Sequence, residues 1–343
     1  MARIPESRGN EDMLTIVDCC MSLMVEKKAN HGEDCEKHSI NRDTAFFGVF
    51  DGCGGAGSQT CPKFFGKTEA YIASRAAADA FQDWFELGDR ANGWKAEELK
   101  TRVRAYLSEC NELVGEKSAL IGGIRKKFPT TAAAGICYAG EKSVEVDLYW
   151  AGDSRVYLLD SEGLAQLTED DLGGIDAMEN LVEDGVLTNL LSLSKDFTIH
   201  TGHVSMKHPG IIFAATDGCF GYLSTPMEFE YLLLETMLKS DCVSVESTGV
   251  NEKLVEKLSG HQASTGWLET LSVAIGKTAG DDYTLSGYAI GFGSYSKMKE
   301  AFRKRANEVY AKYISGLEGR SYEEKYVLWE AYKDRYHRLI CRS

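Results

Sequence analysis

Acidic residues recur at the margins of apolar runs in this chain. "RGNED" places Glu11 and Asp12 just ahead of one run, and "VFDGCGG" ends another at Asp51. "FAATDG" ends a third at Asp217, and "GDDYT" sets Asp281 and Asp282 before a fourth. "YWAGDSRVYLL" puts Asp153 in a turn between two runs. Singly, each has an ordinary explanation, because Asp-Gly and Gly-Asp-Ser are common turn sequences. Together they imply that several strands deliver carboxylates to one edge. Gathered carboxylates repel, and one takes up a proton unless a cation intervenes. Oxygen donors without His or Cys suit a hard ion such as Mg2+ or Mn2+. Two such ions about 4 Å apart, sharing a carboxylate, activate water for in-line attack on phosphorus.

The elements that must position these groups are legible in outline. "MLTIVDCCMSLMV" and "TAFFGVF" read as buried strands, with the polar stretch "KKANHGEDCEKHSINRD" between them as a loop or hairpin tip. "KTEAYIASRAAADAFQDWFEL" carries Tyr71, Ala78, Phe81 and Phe85 at helical spacing, and "AEELKTRVRAYLSECNELV" reads as a second amphipathic helix. "TTAAAGICYA", "SVEVDLYWAG", "RVYLLD" and "AQLT" are short strands, followed by the acidic, irregular stretch 169–196. "GIIFAATDG" and "YTLSGYAIGFG" are strands flanking the helix "TPMEFEYLLLETMLKS". Strands, two helices, a run of strands and then helices make an α+β order with largely antiparallel sheets.

Composition narrows the class further. Of 343 residues 43% are hydrophobic, enough for a sizeable core. The net charge of -14 disfavours nucleic acid and anionic membrane as partners. Ten cysteines lack metal-ligand spacing and sit mostly in apolar runs, as buried thiols of a reducing cytoplasm do. The polar N-terminus shows no signal peptide, and no stretch reaches the length of a membrane span. Residues 295–343 differ from the body: they hold 12 Lys/Arg and 7 Asp/Glu, against 26 and 45 in the remainder.

The ordered set "RGNED … VFDGCGG … AGDSRVYLL … ATDG … GDDYT" resembles the metal-dependent Ser/Thr phosphatases of the PP2C (PPM) family, above all their bacterial-type members. The resemblance spans about residues 3–293. It implies a four-layer α/β/β/α sandwich, two antiparallel sheets flanked by helices, over 1–293; 294–343 lies beyond it and reads, from two apolar stripes separated by "SGLEGRS", as a C-terminal helical hairpin extension. It also implies two Mn2+ or Mg2+ ions, with a third, weaker site. Asp51 would bridge the two ions and the Gly52 carbonyl would bind one of them. Asp217 and Asp281 would bind the other, and Glu11 and Asp12 would hold metal-bound waters. Asp153 would serve the third site with Asp217. Thr130 and Thr131 match the start of a family strand and take a structural role. The implied reaction is hydrolysis of phosphoserine and phosphothreonine by direct attack of metal-bound hydroxide. A phosphorylated protein is then the substrate, and a cognate Ser/Thr kinase is the partner such an enzyme implies. The alternative is a catalytically weak or inactive PP2C-like scaffold; survival of all the core carboxylates favours catalysis.

Some positions depart from the family. Arg8, the candidate to grip substrate phosphate, stands three residues before Glu11 where the family has four, with Arg3 behind it. Cys53 replaces the common His after Asp-Gly and is a candidate proton donor, although packing alone would also explain it. Asp281-Asp282 replaces Asp-Asn, and "KKANHGEDCEKHSINRD" reads as an insertion before Asp51. In the tail, Met298, Phe302, Val309 and Tyr313 form one stripe, and Tyr322, Tyr326, Trp329, Lys333 and Tyr336 another. Stripes this apolar predict helices docked on the acidic body, away from the metal edge.

Overall fold

The computed structural model describes residues 16–41, 43–114, 127–173, 176–181, 185–240 and 266–341. Two five-stranded antiparallel sheets pack face to face. The first is ordered β1 (Val17–Val25), β12 (Tyr283–Ile290), β11 (Gly210–Ala215), β8 (Arg155–Asp160), β9 (Gly163–Gln166). The second is ordered β10 (His200–Met206), β7 (Val144–Ala151), β6 (Ala132–Ala139), β3 (Thr44–Phe50), β2 (Cys35–Ile40). A small hairpin, β4 (Thr60–Cys61) with β5 (Lys67–Thr68), stands apart.

Every residue of β3 is buried, because both of its faces are covered. Successive side chains point to opposite faces. Phe47 and Val49 therefore meet Trp150, Val156, Ile212 and Tyr288 between the sheets. Phe46 and Phe50 face outward onto α1 (Glu69–Leu87) and α2 (Ala96–Val114), where they pack with Phe81, Trp84, Leu99 and Val103. The Tyr288 hydroxyl crosses the interface and donates to the Phe46 carbonyl at 2.8 Å. A continuous apolar run is the pattern such a doubly covered strand requires.

The first sheet is covered by α3 (Pro226–Lys239), α4 (described over residues 266–275), α5 (Tyr295–Val309) and α6 (Tyr322–Tyr336). The tail helices belong to this core. Met298, Phe302, Val309, Trp329, Tyr332 and Tyr336 are buried in one cluster with Phe213, Phe229 and Leu233. Arg305 of α5 forms a forked ion pair with Glu230 of α3, both buried, with nitrogen–oxygen distances of 2.5 and 2.9 Å. The Tyr332 hydroxyl donates to the same carboxylate. Among the described residues no helix is long and apolar enough to cross a membrane.

Besides the small β4–β5 hairpin, two strands of the sandwich escaped the periodicity reading. β2 lies in the polar stretch read as a loop, and β10 ("HTGHVSM") was not recognised. Both are edge strands of the second sheet, with few fully buried side chains. Polar residues are tolerated there, and the hydrophobic signal fades.

Candidate metal centre

Asp51 follows the last residue of β3, Asp217 follows β11 by two, and Asp281 and Asp282 precede β12. Asp153 lies in the turn joining β7 to β8, where Gly152 adopts φ +105°. One end of the sandwich thus gathers acids from both sheets. Asp217 and Asp51 are in hydrogen-bond contact, and the charges of Asp34, Asp217, Asp153 and Asp281 all bear on Asp51.

The backbone beneath is tied down. The Asp51 carbonyl accepts from the Thr131 amide at 2.8 Å and from the Thr130 hydroxyl at 2.7 Å. The Thr131 hydroxyl meets that of Ser154 at 2.7 Å, which couples this turn to the one carrying Asp153. Both threonines therefore hold loops in place. A Cβ at residue 52 would fall 2.5 Å from the Ala70 carbonyl oxygen and 2.9 Å from that of Glu33. Only glycine permits this approach. The Cys53 amide donates to the Pro129 carbonyl at 3.1 Å, and the Cys53 carbonyl accepts from Gly57 at 2.9 Å, which closes the glycine turn.

Arg3, Arg8, Glu11 and Asp12 lie outside the described residues. Among the described residues the Glu-Asp pair at the site is Glu33-Asp34, inside the stretch read as an insertion. Asp34 is buried, and the Thr216 hydroxyl donates to its Oδ2 at 2.9 Å. The buried Thr284 hydroxyl lies beside it and, like that of Thr216, favours its charged form. The Glu33 carboxylate accepts from the Thr68 hydroxyl and lies where a side chain on Gly54 would collide with it. A signal was present: "GED" stands much closer to Asp51 than "NED" does.

Asp281 and Asp282 divide the work. Asp282 accepts from the backbone amides of Lys27 and Glu33, both at 2.7 Å, and so anchors the 27–33 loop. Asp281 is exposed, and its charge bears on Asp51 and Asp217. It is the better placed of the two to serve as a ligand.

Burial, followed by mutual repulsion, raises the acids above the usual carboxylate range. Asp34 is pushed up to about 7 and Asp153 to about 8, while Asp51 and Asp217 also move up. Arg155 lies close by but is committed to Asp170, at 2.9 and 2.6 Å in a buried fork. Among the described residues, no group of three or more His, Cys, Asp or Glu side chains is arranged to hold a metal ion directly. The donors instead suit a hard ion that keeps several waters and takes one or two carboxylates, as Mg2+ does. A cleft of about 390 Å³ opens beside Asp153 and Asp217, walled by Leu172, Phe220 and Tyr222.

No protein-family model matches the sequence, and no curated protein matches it. Solved structures do. A bacterial serine phosphatase is similar with a TM-score of 0.51 and 17% identity, over 79% of this chain and 97% of that one. The fold is that of the PP2C phosphatases. The serine/threonine phosphatase Stp1 of Staphylococcus aureus is similar at a TM-score of 0.50 and 17% identity, over 79% of this chain and 95% of its own. The PPM Ser-Thr phosphatase MsPP of Mycobacterium smegmatis, solved with cacodylate, is similar at 0.51 and 13%, over 80% and 100%. Within the PP2C fold, the acidic edge described here is formed where both sheets end.

Proposed function

We propose that this chain is a metal-dependent phosphatase of phosphoserine and phosphothreonine in proteins. The observation that carries the reading is the convergence of Asp34, Asp51, Asp153, Asp217 and Asp281 on one edge, with their charge unbalanced and the nearby Arg155 already paired. Its likeness in fold to bacterial Ser/Thr phosphatases supports the same reading.

In this reading Asp51 would serve both of two Mn2+ or Mg2+ ions, the Gly52 carbonyl one of them and Asp217 and Asp281 the other, partly through bound waters. Glu33 and Asp34 take the role expected of Glu11 and Asp12. Asp153 serves a third, weaker site with Asp217. Bound there, the ions would supply Lewis acidity, neutralising phosphate charge and making water nucleophilic at neutral pH. Thr130 and Thr131 hold the Asp51 carbonyl, and Asp282 holds the Glu33 loop, so the acids need not reorganise during turnover. Cys53 Sγ is the chain's own candidate to protonate the leaving alkoxide. A phosphorylated protein substrate, a cognate kinase and a cytoplasmic setting complete the proposal.

Mn2+-dependent phosphate release from phosphoserine and phosphothreonine peptides tests it. Absence of turnover with Mn2+ and Mg2+ would leave the second reading, a PP2C-like binding protein. One observation favours that reading. Counted from Glu33, the position of the family's phosphate-gripping arginine is Ala29, and the Lys27 ammonium is spent on the Ala279 carbonyl. Phosphopeptide binding without turnover would mark it.

A further inference from the structure

Phe65 is completely exposed, at 100% of its accessible surface, and its backbone is left-handed at φ +56°. Both features are unfavourable for a large aromatic residue in an isolated domain. Its neighbour Phe64 packs on the core beneath α1 and α2, so the hairpin uses one ring for folding and displays the other. The tip is closed by bonds from the Phe65 amide to the Pro62 carbonyl and from the Gly66 amide to the Cys61 carbonyl, both 3.1 Å. Its conformation is built in.

The hairpin adjoins the acidic edge. At its base the Thr68 hydroxyl donates to Glu33, whose carboxylate abuts Gly54. The Lys67 ammonium donates to the Asn30 carbonyl at 2.7 Å, which joins hairpin to loop. Phe65 stands three positions before Thr68, a reach of at most about 11 Å. Exposed Lys63 lies beside Phe65, and exposed Lys27 and Lys28 lie on the adjoining loop. In a chain of net charge -14 these lysines form a local basic border beside the carboxylates. Glu26 on the same loop is turned to the Asn30 amide.

We propose that this hairpin docks the substrate phosphoprotein. An apolar side chain of the substrate packs on Phe65, and flanking acidic residues meet Lys63 and Lys28. The inference rests on the phosphatase reading for the identity of its occupant.

Phe65→Gly and Phe65→Asn both tolerate the left-handed backbone, so each should melt no lower than the parent protein. With Mn2+ present, each should lower kcat/KM on phosphorylated casein at least fivefold more than on p-nitrophenyl phosphate. In an Asp51→Asn background, each should weaken binding of phosphorylated casein to the same degree by surface plasmon resonance. Equal binding and equal kcat/KM ratios would overturn the proposal. So would a drop from dimer to monomer on size exclusion, which would make Phe65 a contact between copies. If the parent turns over neither substrate, the phosphatase reading falls, and the binding comparison alone decides the docking site.

Discussion

The Tyr336 hydroxyl accepts a 3.3 Å hydrogen bond from the guanidinium of Arg155, which stands two residues beyond Asp153. The last helix therefore reaches the strand that carries part of the acidic edge. Arg155 also forks onto Asp170 and lies 4.2 Å from the centre of the Phe220 ring. A cavity of about 570 Å³ between α6 and residues 169–172 and 176–180 shares Asp170, Leu172 and Asn180 with the cleft beside Asp153. The tail is docked, as its aromatic stripes imply, but it braces the back of the site and does not stand clear of it.

Truncation after Gly293 should consequently do more than reduce solubility. It removes Trp329, Tyr332 and Tyr336 from the core and leaves Glu230 buried without Arg305. Loss of one partner of a buried pair alone costs about 3–5 kcal/mol. The truncated chain should show no cooperative melting transition by circular dichroism. Tyr336→Phe should fold and lose about 1 kcal/mol. A truncated chain that melts as the parent does would contradict this packing.

Asp34→Asn should abolish Mn2+-dependent turnover of p-nitrophenyl phosphate, whereas Glu11→Gln with Asp12→Asn should retain it. Asp34→Asn should also raise the melting temperature in chelator, because a buried, repelled charge is removed. The opposite pattern of activity would return the role to the N-terminal pair.

Metal-free stability should fall as pH rises. Asp34, at about 7, and Asp153, at about 8, hold protons in the folded state that the unfolded chain has released above about 4. The folded form then binds more protons, so stability is lost between about pH 4 and 8. Excess Mn2+ should raise the melting temperature more at pH 8 than at pH 5. A chelated protein that melts higher at pH 8 than at pH 5 would contradict the burial of these acids. Asp51→Asn should eliminate turnover and Asp153→Asn should cost less, since only Asp51 is proposed to be shared by two ions.

Cys53→Ala should keep kcat within about tenfold, below the usual worth of a general acid. Its backbone bonds to Pro129 and Gly57 do not depend on the thiol. A hundredfold loss concentrated on substrates with poor leaving groups would assign proton donation to Sγ.

Local pattern was sufficient for much of this molecule. The period of Phe81 and Phe85, and of Leu99, Val103 and Leu107, reports a helix face against a sheet, and α1 and α2 lie where that period runs. The apolar run of β3 reports burial on both sides, and an acid at its end marks the edge at Asp51. Asp153, Asp217 and Asp281 carried the same mark. What remained illegible depends on contacts between distant segments. Two Glu-Asp pairs precede Asp51, and within the sequence only their distance from it tells them apart. Glu33-Asp34 reaches the edge because Asp282, 249 residues away from Glu33, holds its loop, and because Thr216 meets Asp34 across the sandwich. The placement of Tyr336 against Arg155 is of the same kind. A side chain's periodicity records which way it faces, but what it meets there is decided only when the two sheets and the tail helices pack.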